Sequence, residues 1–106
     1  MKALYEHIIN AQSILIVTHY NPDADAFGSS LAFGIALESI GKKPVYYNKD
    51  PAPYSVRNLP YQKFTNKLPN KVDLCVILDA NEKKRIGEDF EKYNGYKKII
   101  ILDHHE

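Results

Sequence analysis

One histidine and two aspartates, His19, Asp23 and Asp25, fall within seven positions in the stretch THYNPDADAFGSS, residues 18–30. Imidazole and carboxylate are the groups that bind borderline-to-hard divalent cations and move protons near neutral pH. The same residue types return at Asp79 and in Asp103-His104-His105. Each group directly follows an apolar run: SILIVT before His19, VDLCVIL before Asp79, KKIIIL before Asp103. Runs without polar alternation suit strands buried on both faces of a parallel sheet. In such a sheet every strand's carboxyl end lies on one edge, where ligands bind. The predicted cluster is therefore His19, Asp23, Asp25, Asp79, Asp103, His104 and His105. Four carboxylates gathered without compensation repel one another, and bound cations are the natural remedy. A donor set without cysteine is not that of a structural zinc finger and suits manganese or iron. It is also too large for one octahedral ion that keeps open positions. Two ions sharing a carboxylate fit better, and ions about 3.5–4 Å apart are the usual device for activating water against phosphorus. Gly28, Ser29 and Ser30 stand at the expected start of a helix, where free backbone amides bind phosphate.

The elements that must position these groups follow from periodicity. Residues 2–11 place Leu4, Ile8 and Ala11 on one face of a short amphipathic helix. Strand 13–18 is followed by a helix over 26–40, with Gly41 as its C′ residue. PVYYN, 44–48, is a second strand. Pro51, Pro53, Pro60 and Pro69 make a regular element improbable over most of 50–70. Strands at 72–78 and 97–102 complete the set, with a weak helical signal over 82–93 around Gly87. Apolar strands alternating with helices imply an α/β fold, a parallel sheet with flanking helices and right-handed crossovers.

The chain has 106 residues, 44% apolar and 25% charged, with a net charge of +1. That length holds one small domain with a modest core. No long-range field would gather nucleic acid or an acidic membrane, so any anion must be held by a local site. A single cysteine, Cys75, excludes an internal disulfide and fits a reducing compartment. No apolar run reaches membrane-spanning length and the first residues lack a secretory pattern, so a cytoplasmic protein is expected. Plainer readings stand beside the chemical one. Asp23, Asp25 and Asp79 also suit turns and helix caps. The terminal Asp103-His104-His105-Glu106 also resembles a tag remnant. Cys75 reads as a core thiol and His7 as a helix-surface residue. The tyrosines lack the regular spacing of a base-stacking platform. Arg57, Lys63 and Lys67 read as solvated charges with a phosphate contact as the alternative.

His19-x-Asn21-Pro22-Asp23-x-Asp25-Ala26-x-Gly28-Ser29 resembles the first motif of the DHH phosphoesterase family. Asp79 in VILDAN, with Arg85-Ile86-Gly87 after it, resembles the second motif, and Asp103-His104-His105 the third. Ala24 departs from the frequent glycine. The resemblance implies a Rossmann-like DHH domain, with residues 1–106 as its N-terminal portion, and two divalent ions, usually manganese. His19, Asp23 and Asp79 would hold one ion. Asp25, Asp79 and His104 would hold the other, with Asp79 bridging, and hydroxide between them would attack phosphorus. His105 would contact the phosphate and Asp103 would orient an imidazole. Gly28 and Ser29 would lie at the substrate. The form of the first motif resembles the nano-RNase and pAp-phosphatase branch, which implies a short oligonucleotide or nucleotide phosphoester as substrate. The alternatives are a cyclic-dinucleotide phosphodiesterase, a pyrophosphatase-type member, or a non-catalytic metal- or nucleotide-binding module. The family's fourth motif and C-terminal substrate domain are absent from these residues. The isolated chain is thus expected to bind metal weakly, turn over little, and self-associate through an uncovered face.

Overall fold

Residues 2–102 are described by the structure, a computed structural model. Five parallel strands form one sheet: β1 (Ile14–Thr18), β2 (Val45–Tyr47), β3 (Phe64–Thr65), β4 (Val72–Leu78) and β5 (Tyr96–Leu102). Their order is β3-β2-β1-β4-β5. The chain moves outward from β1 through β2 to β3, then returns to β1's other side with β4. The strand order therefore reverses between β1 and β4, where ligands gather in open α/β sheets.

Burial explains the unalternating apolar runs. All five residues of β1 are buried, because both faces of the sheet are covered. Ile14 and Ile16 pack with Ile8, Phe27 and Leu31, below helices α1 (Lys2–Asn10) and α2 (Ala24–Ser39). Leu15 and Val17 face the other way, with Cys75, Ile77, Ile86 and Phe90, the last on the short helix α3 (Glu88–Lys92). Complete burial of each such side chain contributes roughly 1.5–3 kcal/mol. A second contact brings α2 against β2, where the ring of buried Tyr46 lies on Gly34 in the space a Cβ would need.

The α/β reading and the parallel sheet hold, with three local differences. A fifth strand, β3, lies within the proline-punctuated stretch, between Tyr61–Lys63 and the loop to Pro69. It is two residues long and exists through pairing with Tyr46 and Tyr47, a tertiary contact without local periodicity. Helix α2 begins at Ala24, two residues early, because Asp23 caps it in an extended conformation. The weak signal over 82–93 resolves into a 3₁₀ turn, Lys83–Arg85, and α3, separated by Gly87 at φ +133°. At the other end of α2, Gly41 takes φ +88°, and the Gly41 and Lys42 amides donate to the carbonyls of Glu38 and Leu37. That is the Schellman ending expected of a C′ glycine.

Candidate metal centre

His19 leaves the end of β1, and Asp79 leaves the end of β4, the adjacent strand. Asp23 and Asp25 sit at the cap and first turn of α2. These four residues, with Ala26, Ser29 and Arg85, line one cleft of about 410 Å³. Residues 60 positions apart in sequence are thus joined by the parallel register of β1 and β4, which pairs Thr18 with Leu78.

Hydrogen bonds hold the loop after β1 in a single shape. His19 Nδ1 lies 2.9 Å from the Tyr20 carbonyl, which can only accept, so Nδ1 carries a proton and Nε2 is the ring nitrogen available to a ligand. A ligating imidazole needs this tautomer assignment. The Tyr20 amide donates to the Arg85 carbonyl at 2.7 Å, tying the loop to the turn after β4. From the β2 side, buried Asn48 donates through Nδ2 to the His19 carbonyl at 3.0 Å. Its Oδ1 accepts from the Asp50 amide at 2.9 Å, and Asp50 Oδ2 accepts from the Asn21 amide at 2.6 Å. Asp23 Oδ1 accepts from the Ala26 amide at 2.8 Å, so its capping role and a place in the cleft coexist.

Two residues of this region carry left-handed backbones without being glycine: Asn21 at φ 50° and Asp79 at φ 57°. Such positions cost about 1–2 kcal/mol for an ordinary L-residue, and Asn and Asp tolerate them best. Asp79 is half-buried, and its amide donates to the Leu102 carbonyl at 3.1 Å, across to the end of β5.

The lining supplies one imidazole and three carboxylates, an N/O donor set that fits manganese, iron or magnesium. Among the described residues no three His, Cys, Asp or Glu side chains stand close enough to hold an ion by themselves. Asp103, His104 and His105, which the third motif would contribute, lie outside the described residues. The early start of α2 alters the expectation for Gly28 and Ser29. Only the first four amides of a helix lack intrahelical partners, and both residues lie past them. Ser29 still lines the cleft, whereas Gly28 is not part of its lining.

Arg85 and Asn48 were not predicted as site residues. Arg85 brings the basic charge of the lining. The signal for it was present in the Arg-Ile-Gly that follows the second motif. Asn48 had no local signal, since its function is to tie two strand ends together. Lys63 forms a 3.0 Å ion pair with Glu38 near the end of α2. Cys75 is fully buried, and burial pushes its thiol up to about 12, as a core thiol requires. His7 is exposed on α1.

The profile of the DHH family, N-terminal domain, matches residues 13–106. The bifunctional oligoribonuclease and PAP phosphatase NrnA of Thermus thermophilus is 36% identical over 96 residues, covering 87% of this chain and 28% of that protein. A probable manganese-dependent inorganic pyrophosphatase of Bacillus mycoides is 24% identical over 100 residues, covering 89% of this chain and 31% of that one. The crystal structure of an exopolyphosphatase-related protein from Bacteroides fragilis superposes with a TM-score of 0.81 at 32% identity, over 98% of this chain and 34% of its own. The chain thus spans about a third or less of the length of these relatives. Among the described residues no helix is long and apolar enough to cross a membrane.

Proposed function

This chain belongs to the DHH family, and from that premise we propose that it carries the metal-binding part of a phosphoesterase for short oligonucleotides or nucleotides. The observation that carries this reading is the meeting of His19, Asp23, Asp25 and Asp79 in one cleft at the switch point of the sheet. The similarity to NrnA, named for oligoribonuclease and PAP phosphatase activity, points to the nucleotide branch. The pyrophosphatase similarity, at 24% identity, supports manganese more than it supports pyrophosphate as substrate.

In the ligand set that the family resemblance implies, His19, Asp23 and Asp79 would hold one divalent ion, their side chains drawing together from the open arrangement of this cleft, and Asp25, Asp79 and His104 a second. When bound, the pair supplies positive charge to the phosphoryl oxygens and lowers the pKa of water. The chain's own groups do the rest. The Tyr20 carbonyl keeps the His19 proton on Nδ1, away from the cleft. The Asn48 and Arg85 contacts fix the loop in which His19 sits. Arg85 would offset charge on the substrate phosphate, as would His105, with Asp103 orienting its neighbour. Ser29 would contact a phosphate oxygen through its hydroxyl. Full turnover in this reading draws on the part of the relatives' length that this chain does not span.

Calorimetric titration with manganese, on the parent and on Asp79→Asn, tests the proposal. Two sites are expected in the parent, both weakened by more than about 100-fold in the variant, since even outer partners of metal ligands are worth 10–100-fold. Asparagine keeps the left-handed backbone at this position, so the loss reports on charge. Two unequal sites of which only one responds would remove Asp79 as the bridge. No site in a chain extended beyond residue 106 would sink the metal reading.

A further inference from the structure

The edge that carries the cleft continues past β1. On the side of β2 and β3 lies a second cavity of about 530 Å³, lined among others by Asn48, Asp50, Tyr61, Gln62, Phe64 and Asn66. Asn48 follows β2 and Asn66 follows β3, so this cavity opens on the same carboxyl edge as the cleft. Neighbouring strands lie about 4.8 Å apart, which sets the cavity one to two strand spacings from His19. The two spaces share a wall. Asn48 and Asp50 line the second cavity and hold the His19 carbonyl and the Asn21 amide of the loop beside the first.

The chemistry of the second cavity differs from that of the first. Phe64 is stacked on Phe27 at 4.4 Å and forms a fixed apolar floor. Tyr61 is 40% exposed, and among the described residues no ring or cation stacks on it. Gln62 and Asn66 present amides that can both donate and accept. A smaller cavity of about 180 Å³ adjoins, sharing Ala52 and Tyr61. There the Arg57 guanidinium lies 4.1 Å from the centroid of the Tyr54 ring, on a tyrosine that is 78% exposed. An apolar floor, an open ring, neutral amides and a cation on an aromatic shelf make up a surface for stacked bases and their backbone.

We propose that the cavity over β2 and β3 is a nucleoside subsite, in which Tyr61 stacks the base next to the scissile phosphate and Gln62 and Asn66 contact its edge. Arg57 and Tyr54 extend the track to the following nucleotide. The inference rests on the phosphoesterase reading, since the cleft must hold the phosphate. It assigns substrate selection to a loop that the metal-binding motifs do not include. A substrate without a base would use the cleft alone.

The test compares two probes, diadenylate and inorganic phosphate, by equilibrium binding with magnesium present, on the parent, Tyr61→Ala and Tyr61→Phe. Base stacking on an aromatic side chain is worth roughly 5- to 150-fold in affinity. Tyr61→Ala is expected to weaken diadenylate by that factor and leave phosphate unchanged, with Tyr61→Phe restoring it. Amide resonances of Gln62 and Asn66 should shift with diadenylate and not with phosphate. Equal effects on both probes, no effect on either, or no diadenylate binding by the parent would overturn the subsite. Phosphate binding that ignores the divalent ion and Asp79→Asn would instead overturn the phosphoesterase reading, while the diadenylate shift map would still decide the subsite.

Discussion

The two ends of the sheet's carboxyl edge are built differently. At β1 and β4 the strand ends are buried on both faces, and two left-handed residues, Asn21 and Asp79, hold sharp turns. The main-chain bond from Tyr20 to Arg85, and the Asn48 side chain, fix the loop from two sides. At β2 and β3 the strands are three and two residues long, and the walls come from 3₁₀ turns that expose Tyr54 and Tyr61. Rigid placement of ligands needs the first arrangement, because metal donors tolerate little error. A surface that contacts bases through their faces tolerates more, and loops suffice. In the proposed reading, chemistry falls to the centre of the sheet and selection to its flank.

Breaking the joint between the two ends should have the largest effect on stability. Asn48→Ala leaves the His19 carbonyl and the Asp50 amide without their partner in a part-buried setting, which costs about 1 kcal/mol, the low end for an orphaned polar group. Urea unfolding should show a lower midpoint with unchanged slope, and manganese affinity should fall alongside. Unchanged metal affinity in a folded variant would mean that the two ends are mechanically separate.

Alkaline titration sharpens the comparison from both sides. Burial is the leading cause that raises the Tyr46 and Tyr47 hydroxyls on β2, and it lifts the Cys75 thiol on β4 from 9.0 to about 12. The folded pKa values exceed the unfolded ones, so stability is fully present below the unfolded values and is lost as pH rises through the folded ones. Melting temperature should hold up to about pH 9, fall first as unfolded Cys75 ionises, and fall faster above about pH 10 as the tyrosines join. A flat profile between pH 9 and 11 would contradict the burial of all three.

The smallest effect is expected at Asn21→Gly. Glycine takes the left-handed backbone without a Cβ penalty but gives more freedom to the unfolded chain. Thermal melts should move by the equivalent of less than about 1 kcal/mol. A large loss would show that the Asn21 side chain, and not its backbone, holds the loop.

Much of the fold and of the cleft is legible in the sequence. The runs ILIVT and VDLCVIL announced strands buried on both faces, and the acids after them announced an edge. These signals are local and repeat along the chain. β3 was not legible, because two residues between prolines carry no period and their pairing partner lies at Tyr46 and Tyr47. The start of α2 was misplaced by two residues, since Asp23 was open to readings as turn, cap or ligand, and it caps while lining the cleft. Asn48 was invisible for a different reason. Its importance arises from the side-by-side placement of β1 and β2, which no single stretch encodes.

The strand order has a consequence for how the protein comes into being. β1 finds its second partner, β4, only when a segment 60 residues downstream is available. Until then Ile14 to Val17 form an apolar strand with one open edge in a chain still being synthesised. Parallel sheets of this kind fold slowly, because distant segments must meet before any pairing rewards them. The strand that places His19 thus waits longest for its second partner, with an open edge that invites mispairing in the meantime.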